Sequence, residues 1–596
     1  MLPPLHAEAW KAAAANPAIM AVLPALRTRA MAEAGVELPA LTDELYAEYH
    51  ATGARLPFEN VYFERRRQFA RAAICALLDQ TAEEGKWLAS MRSKLAAIFA
   101  ESSWALPAHI ASPTGRDPLF IDLFAAETAH LMAEAMVVFG DALGQELVEK
   151  IRQRLREQIF ENYLARHEEF FWTKATHNWN AVCHHGVIGA ALAVERDSEM
   201  VARVLEIGTR YLALFLRGFG VDGGCSEGPA YWQYGFGRFC ALNAEVEARS
   251  ADALSLVEGD AHVREIVKYG PRMTLSKAHF VNFSDSARSG ALDPALLTYL
   301  GQRFHDEILL AHGYRAYQRL GQTGLSIDAQ RTDFFHLSRL LLYFPSGHES
   351  ERAIEPEDFF FRDLGVLVAR GRDARGNLWE FAAKAGNNAE HHNHNDCGSF
   401  LLNINGEPRI IEIGAPVYTR DYFGENRYQY LAARTLGHSL PIVNGREQVA
   451  GPQYAAKVLT LEPAGERVEF SMELSACYPR EAHCSDLVRS FVFEKKRGSL
   501  RVKEFYVIAV HESYETSIIT ELPIDLRERV AAIPSGRAGG RQLLVKPLAE
   551  TIFAGVEKHE YRDHSGVPRT IYRLIMRPAD IYEPRFVGYE LELETS

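Results

Sequence analysis

The chain has 596 residues, 47% of them hydrophobic and 24% charged, with a formal net charge of −13. That length exceeds one ordinary core and predicts two large domains of a globular protein. The acidic balance, with no long Lys/Arg run, argues against general nucleic-acid binding, and without an eighteen-residue apolar stretch no membrane span is expected.

The first residues, Met1-Leu2-Pro3-Pro4-Leu5-His6, lack the cationic start and unbroken apolar core of a secretory signal. A cytoplasmic protein is the expectation, with a periplasmic or secreted one the alternative if a signal was trimmed. Cysteines 75, 183, 225, 240, 397, 477 and 484 are scattered, odd in number and without a CxxC spacing. They imply reduced thiols rather than a disulfide framework.

From residue 1 to about 345, apolar residues recur at three- and four-residue intervals. The spacing predicts helices over 62–78, 119–139, 142–164, 181–194, 200–216 and 231–250, separated by short Gly/Pro/Asp breaks. Many helices without strand signals mean an all-α domain, taken as 1–345. From about 356 the pattern changes to short, β-rich, often alternating runs: 366–370, 399–405, 468–474, 487–494, 500–509 and 569–576. These predict an antiparallel sheet domain over 346–596, a sandwich of packed sheets. Residues 345–357, with Gly, Ser, Pro and charges, read as the linker.

Three motifs could carry chemistry. The first is Asn178-Trp179-Asn180-Ala181-Val182-Cys183-His184-His185-Gly186, a helix start with Asn178 or Asn180 as cap. There Asn180 would offer an amide to an anionic ligand, with His184 and His185 a turn further on; a cap plus a core tryptophan is the plainer reading. The second is Asp222-Gly223-Gly224, then Glu227-Gly228-Pro229-Ala230-Tyr231-Trp232-Gln233-Tyr234. A glycine-rich turn leads into a helix with Tyr231 and Tyr234 on one face, which packing alone would also explain. It is no phosphate loop, since it has neither GxGxxG after a strand nor GK[ST].

The third motif is Glu390-His391-His392-Asn393-His394-Asn395-Asp396, just before a predicted hairpin from Phe400 to Glu412. If Phe400 begins a strand, His392 and His394 lie two apart and can point to one face, so that one binds a metal while the other reaches into a cleft. Glu412 and His438 complete a His394/Glu412/His438 set of borderline N/O ligands of the kind zinc accepts.

Taken together, the three motifs resemble the heparinase II/III-like superfamily of polysaccharide lyases. Trp104-Ala105-Leu106-Pro107-Ala108-His109 and Ile121-Asp122-Leu123-Phe124-Ala125-Ala126-Glu127 resemble its helical half. The resemblance runs from about 55 to 445, with the motifs in order. It implies an N-terminal (α/α) toroid followed by an antiparallel β-sandwich, the active site lying between them, and β-elimination on a uronic-acid-containing polysaccharide. It also assigns roles. Tyr234 matches the catalytic tyrosine, Asn180 the residue that neutralises the substrate carboxylate, and His392 the sheet-domain histidine. His394, Glu412 and His438 match the metal set, with Glu412 standing where relatives usually have Asp. His184, His185, Glu227, Tyr231 and Tyr422 stand as further catalytic or substrate-binding candidates, and Tyr418, Tyr422 and Arg427 as borders of the cleft.

The chemistry suits these residue types. Removing the C5 proton of a uronate builds negative charge on a group already anionic, which an amide and an imidazole can stabilise in a dry cleft. A tyrosine can take that proton and return it to the 4-linked oxygen that leaves. Trp172, Trp179 and Trp232 could stack on sugar faces, although core packing suits at least two of them. The expected partner is an anionic 4-linked uronate polymer such as heparan sulfate, chondroitin, hyaluronan or alginate, and the expected cofactor a divalent metal, zinc by its ligands. The competing readings are a glycoside hydrolase, using opposed carboxylates such as Glu227 and Asp396, and a non-catalytic polysaccharide-binding protein. Neither endo or exo action nor the oligomeric state is legible.

Overall fold

The computed structural model describes every residue except 22, 80–82, 111–116, 118, 278, 323–332, 345–356, 463–464, 511–512, 581–585 and 595–596. The expected linker, but for Glu357, lies outside the described residues. The chain forms two compact units, and a single boundary near 345 does not separate them. The first unit takes Met1–Gly218, Tyr231–Val263 and Ala291–Ala353; the second takes Phe219–Ala230, Arg264–Gly290 and Ile354–Ser596.

The first unit is helical. Its main helices are α1 (Leu56–Leu78), α2 (Glu84–Phe99), α3 (Leu123–Phe139), α4 (Asn178–Val194), α5 (Ser198–Arg217), α6 (Pro229–Ser250), α7 (Pro294–Phe304) and α8 (Phe334–Leu342). Their starts follow local chemistry. Asp122, Asp197, Asp293 and Asp333 each accept a hydrogen bond from a first-turn amide, at the starts of α3, α5, α7 and α8. The start of α4 differs from expectation: His177 precedes it without a side-chain cap, and Asn178 is its first residue. α3 packs against α4, and both are buried along nearly their whole length. The stretch 123–143 is long and apolar enough by composition to cross a membrane, yet most of it is buried as a core helix of this unit.

The second unit is antiparallel. A five-stranded sheet runs in sequential order: β1 (Phe359–Phe361), β2 (Val366–Arg372), β3 (Leu378–Lys384), β4 (Phe400–Ile404) and β5 (Glu407–Ile410). An eight-stranded sheet faces it. Phe381 of β3 and Phe400 of β4 each sit 5.4 Å, ring to ring, from Phe491 of that sheet, so the two inner faces form one sandwich core. A four-stranded sheet completes the unit. The β4–β5 hairpin is the predicted one. Asn405 and Gly406 both take positive φ, 54° and 70°, as a two-residue hairpin turn requires. All seven cysteines are free.

Candidate functional site

In the sheet unit β4 begins at Phe400 as expected, the His-rich motif is the turn that enters it, and His392 adopts a left-handed φ of 57°. That geometry turns His392 away from the sheet, and its ring meets Asp285, which lies on the segment 281–290 at the far side of the motif. His392 Nδ1 donates to Asp285 Oδ2 at 2.9 Å and His394 Nε2 donates to Oδ1 at 2.8 Å. Arg427 donates to Oδ2 at 2.9 Å, and Tyr422 donates its hydroxyl to Oδ1. Burial alone would raise the Asp285 carboxyl, but the hydrogen bonds from His392 and His394 and the charge of Arg427 outweigh it and hold the group well below the usual carboxylate range.

An ionised Asp285 can only accept, so the proton of each histidine is fixed by it. For His392 this leaves Nε2 as the outward nitrogen, 3.7 Å from Glu227 Oε1. Tyr418 stacks on the ring at 6.1 Å, and Phe423, 49% exposed, stands against both Tyr418 and His392. Such an exposed ring suits the face of a sugar. Tyr422 was expected to border a cleft; instead it is fully buried beneath His392, with Arg427 over its ring at 4.2 Å.

For His394, burial lowers the imidazole pKa, and the Nε2–H bond to Asp285 leaves Nδ1 as a buried nitrogen with no hydrogen-bond partner. One ligand atom from each of His394, Asp396 and His438 lies within 4.8 Å of the others. A neutral imidazole held by a carboxylate at its far nitrogen, beside a second histidine and a carboxylate, is a donor set that fits a divalent metal. The carboxylate in that set is Asp396 rather than Glu412. Glu412 sits behind His438, with Oε2 2.5 Å from His438 Nδ1 and Oε1 on the Ser399 hydroxyl. Burial opposes protonation of His438, but the charge of Glu412 prevails and raises its pKa.

In the helical unit, Asn180 is fully buried and its amide is committed to the fold. Its nitrogen donates to the carbonyls of Thr173 (3.0 Å), Ala175 (2.8 Å) and Tyr211 (3.0 Å), and its Oδ1 faces His184 Nδ1 at 2.8 Å. Nothing is left over for a substrate carboxylate, so the expected role is corrected: Asn180 ties the start of α4 to α5. His184 is likewise occupied, its Nε2 3.0 Å from the Tyr163 hydroxyl, and burial lowers its pKa to about 3. His185 is buried against His130 and Glu245, its pKa also pushed down to about 3 by burial. Asn180→Ala should therefore cost stability, about 3 kcal/mol for several buried carbonyls left without donors. Urea denaturation checks this, and an unchanged midpoint would refute it.

Tyr234 also departs from expectation. Its hydroxyl is buried beside Glu127, and burial first, then that carboxylate, raises its pKa well above that of an ordinary tyrosine. This is the wrong direction for a base. Tyr231, one turn earlier on α6, is half-buried. Gly235, one turn after Tyr231 on the same face, packs on Asn178, since a Cβ there would lie 2.9 Å from the Asn178 Cα. Asn178 and Tyr231 thus share one side of the α4/α6 packing. Trp172 and Trp232 are fully buried, as core packing requires, while Trp179 is partly exposed beside the exposed Phe171, ring to ring at 4.9 Å.

Asp285, Phe423 and Arg339 carry no motif in the sequence. Asp285 sits in a polar run, Asn282-Phe283-Ser284-Asp285-Ser286, inside a stretch read as helical.

Residues 353–506 match the model of the heparinase II/III-like C-terminal domain. No curated protein sequence matches the chain. Among solved structures, a heparinase III is similar with a TM-score of 0.61 and 12% identity, covering 96% of this chain and 89% of that one. The heparan sulfate lyase HepC of Pedobacter heparinus is similar with a TM-score of 0.57 and 13% identity, covering 97% and 88%. The Streptomyces coelicolor A3 chondroitin AC lyase, solved with chondroitin sulphate, is similar with a TM-score of 0.52 and 12% identity, covering 96% and 83%. Residues 353–506 match the heparinase II/III-like C-terminal domain, and a helical unit with an antiparallel sheet unit is the fold of heparinase III.

Proposed function

We propose that the protein is a polysaccharide lyase that cleaves a 4-linked uronic-acid-containing glycosaminoglycan by β-elimination. The observation that carries this reading is the His392–Asp285 pair, an imidazole whose inner nitrogen is fixed by a buried carboxylate and whose outer nitrogen is turned outward beside an exposed aromatic ring. The neighbours with this fold, a heparan sulfate lyase and a chondroitin AC lyase among them, act on such polymers.

In the proposed reaction, Asp285 orients His392 through Nδ1–H, and Nε2–H of the imidazolium donates to the substrate carboxylate and offsets the charge that develops on it. The amide of Asn178 takes the role first given to Asn180. The Tyr231 phenolate removes the C5 proton. As C4=C5 forms, the C4–O bond breaks and the phenol returns the proton to the departing oxygen, so that no water or oxidant enters. The part assigned jointly to residues of the two units follows from the family resemblance. Asp396, offered by a hydrolase reading as a carboxylate opposed to Glu227, is buried and ion-paired to Lys384 at 2.7 Å, which disfavours that reading.

A panel of heparan sulfate, chondroitin sulfate, hyaluronan and alginate with ultraviolet detection tests the proposal. The expected result is near-ultraviolet absorbance from the unsaturated uronate on at least one glycosaminoglycan. New reducing ends without absorbance would mean hydrolysis, and neither signal would mean binding alone.

The metal proposed for the sheet unit is zinc, held by His394, Asp396 and His438 with Glu412 orienting His438. When bound, it would supply positive charge that organises the turn carrying His392. Elemental analysis of protein purified without a His-tag should find zinc, and His438→Asn should lose one equivalent. An unchanged zinc content in that variant would remove this site.

A further inference from the structure

Away from these residues, three helices of the first unit bring a second set of ligand-type side chains together. His130 comes from α3, His185 from α4 and Glu245 from α6, all buried. His130 Nε2 lies 3.0 Å and His185 Nε2 lies 3.4 Å from the same oxygen, Glu245 Oε1. The two imidazole centroids are 4.2 Å apart. A tetrahedral ion with bonds of about 2.0–2.1 Å spaces its ligand atoms by about 3.3 Å, so these separations are those of one triangular face.

The surroundings complete the pattern. Glu134, one turn after His130 on α3, places Oε2 3.6 Å from His130 Nδ1, a nearby charge rather than a hydrogen bond. Arg339 of α8 lies 2.6 Å from Glu134 and 3.0 Å from Glu245, bracing both carboxylates. Glu245 Oε2 and His185 Nδ1 are buried without a hydrogen-bond partner. Gly189, one turn beyond His185, leaves room for the group: a Cβ there would fall 2.4 Å from Glu245 Oε2 and 2.8 Å from the His130 ring. Glu245 also borders a cavity of about 70 Å³ lined by Tyr234, Arg238, Phe335, His336 and Arg339, which gives an ion a route in and a water for its fourth position.

Two carboxylates against one guanidinium leave the cluster one positive charge short. A divalent ion would supply it, and it also accounts for both imidazoles directing Nε2 to a single oxygen while the other carboxylate oxygen goes unused. We propose that His130, His185 and Glu245 form a second divalent-metal site, of zinc type, that pins α3, α4 and α6 together. It is independent of the metal proposed for the sheet unit and of the lyase reading, and its readouts do not use activity.

The test uses the full chain purified without a His-tag. Crystals soaked in zinc chloride and measured above the zinc edge should show an anomalous peak among His130, His185 and Glu245, separate from any peak at His394. In solution, chelator-treated protein titrated with Co²⁺ should develop the visible absorption of a tetrahedral site. That signal should fall in His185→Asn and Glu245→Gln beyond any loss seen in His438→Asn. If a variant fails to fold, the wild-type crystal decides alone. Absence of anomalous density among the three residues, or Co²⁺ stoichiometry equal in wild type and a folded His185→Asn, overturns the proposal.

Discussion

Tyr231→Phe is expected to abolish eliminative cleavage, with turnover down by roughly 10²-fold or more, while Tyr234→Phe stays within a few-fold of wild type. The two residues lie one turn apart on α6, yet their surroundings differ in the property that matters. A catalytic tyrosine must lose its proton to become the base, so its environment has to favour the phenolate or at least tolerate it. Around Tyr234, burial and the adjacent Glu127 both act against ionisation. Tyr231, half-buried like Tyr234, lies one turn before Gly235, on which Asn178 packs. The proposed reaction pairs that amide, as charge neutraliser, with the phenol as base. The change to phenylalanine removes one hydroxyl and almost no volume, so the thermal midpoint of Tyr231→Phe should barely move. Initial rates followed by ultraviolet absorbance, with the melting curve of each variant as control, decide the matter. Full activity in Tyr231→Phe together with loss in Tyr234→Phe would return the catalytic role to Tyr234.

This exchange of Tyr234 for Tyr231, and of Asn180 for Asn178, shows where sequence reading stops. The helices were legible because their apolar residues recur at three and four positions. The β4–β5 hairpin was legible because Asn405-Gly406 is a turn signal between two apolar runs. The choice within a motif was not. Two residues apart on a helix point roughly opposite ways, so whether Asn178 or Asn180 faces inward depends on where α4 begins, and that start lacks the side-chain cap that would have marked it. Asp285 was hidden for a different reason. It lies more than a hundred residues before His392, between helical stretches, and only the passage of residues 264–290 into the sheet unit brings it to the histidines. The left-handed turn at His392 was equally invisible, since two histidines two residues apart before a strand suggest one shared face, and nothing local marks the positive φ. The His394/His438 pairing was legible as ligand types, but the third member was not, because Asp396 and Glu412 are both carboxylates near the hairpin and only the fold ranks them.

Asp285→Asn should produce the largest loss attainable in the sheet unit without touching a residue that meets substrate. Asp285 accepts from His392, His394, Arg427 and Tyr422, four donors on two oxygens. An asparagine offers one acceptor oxygen and an NH₂ group that points its hydrogens at whichever donors it faces. If the NH₂ faces His392, the imidazole must present a lone pair at Nδ1, which moves its proton to Nε2 and leaves the ring neutral. If it faces His394, Nδ1 of that ring gains the proton and ceases to be a metal ligand. Arg427 meanwhile keeps a buried charge with its partner gone, an arrangement that costs about 3–5 kcal/mol. The expected result is a fall in kcat of roughly 10²-fold or more, a lower melting temperature and loss of the zinc held by His394. The pH profile separates the causes. Asp285 is held well below the usual carboxylate range, so in wild type its contribution is present above the pKa of an ordinary aspartate and is lost only as pH falls through its own depressed value. The wild-type stability advantage over Asp285→Asn should therefore hold at neutral pH and shrink in strong acid. An advantage that vanished near pH 6 instead would assign the effect to a histidine rather than to Asp285.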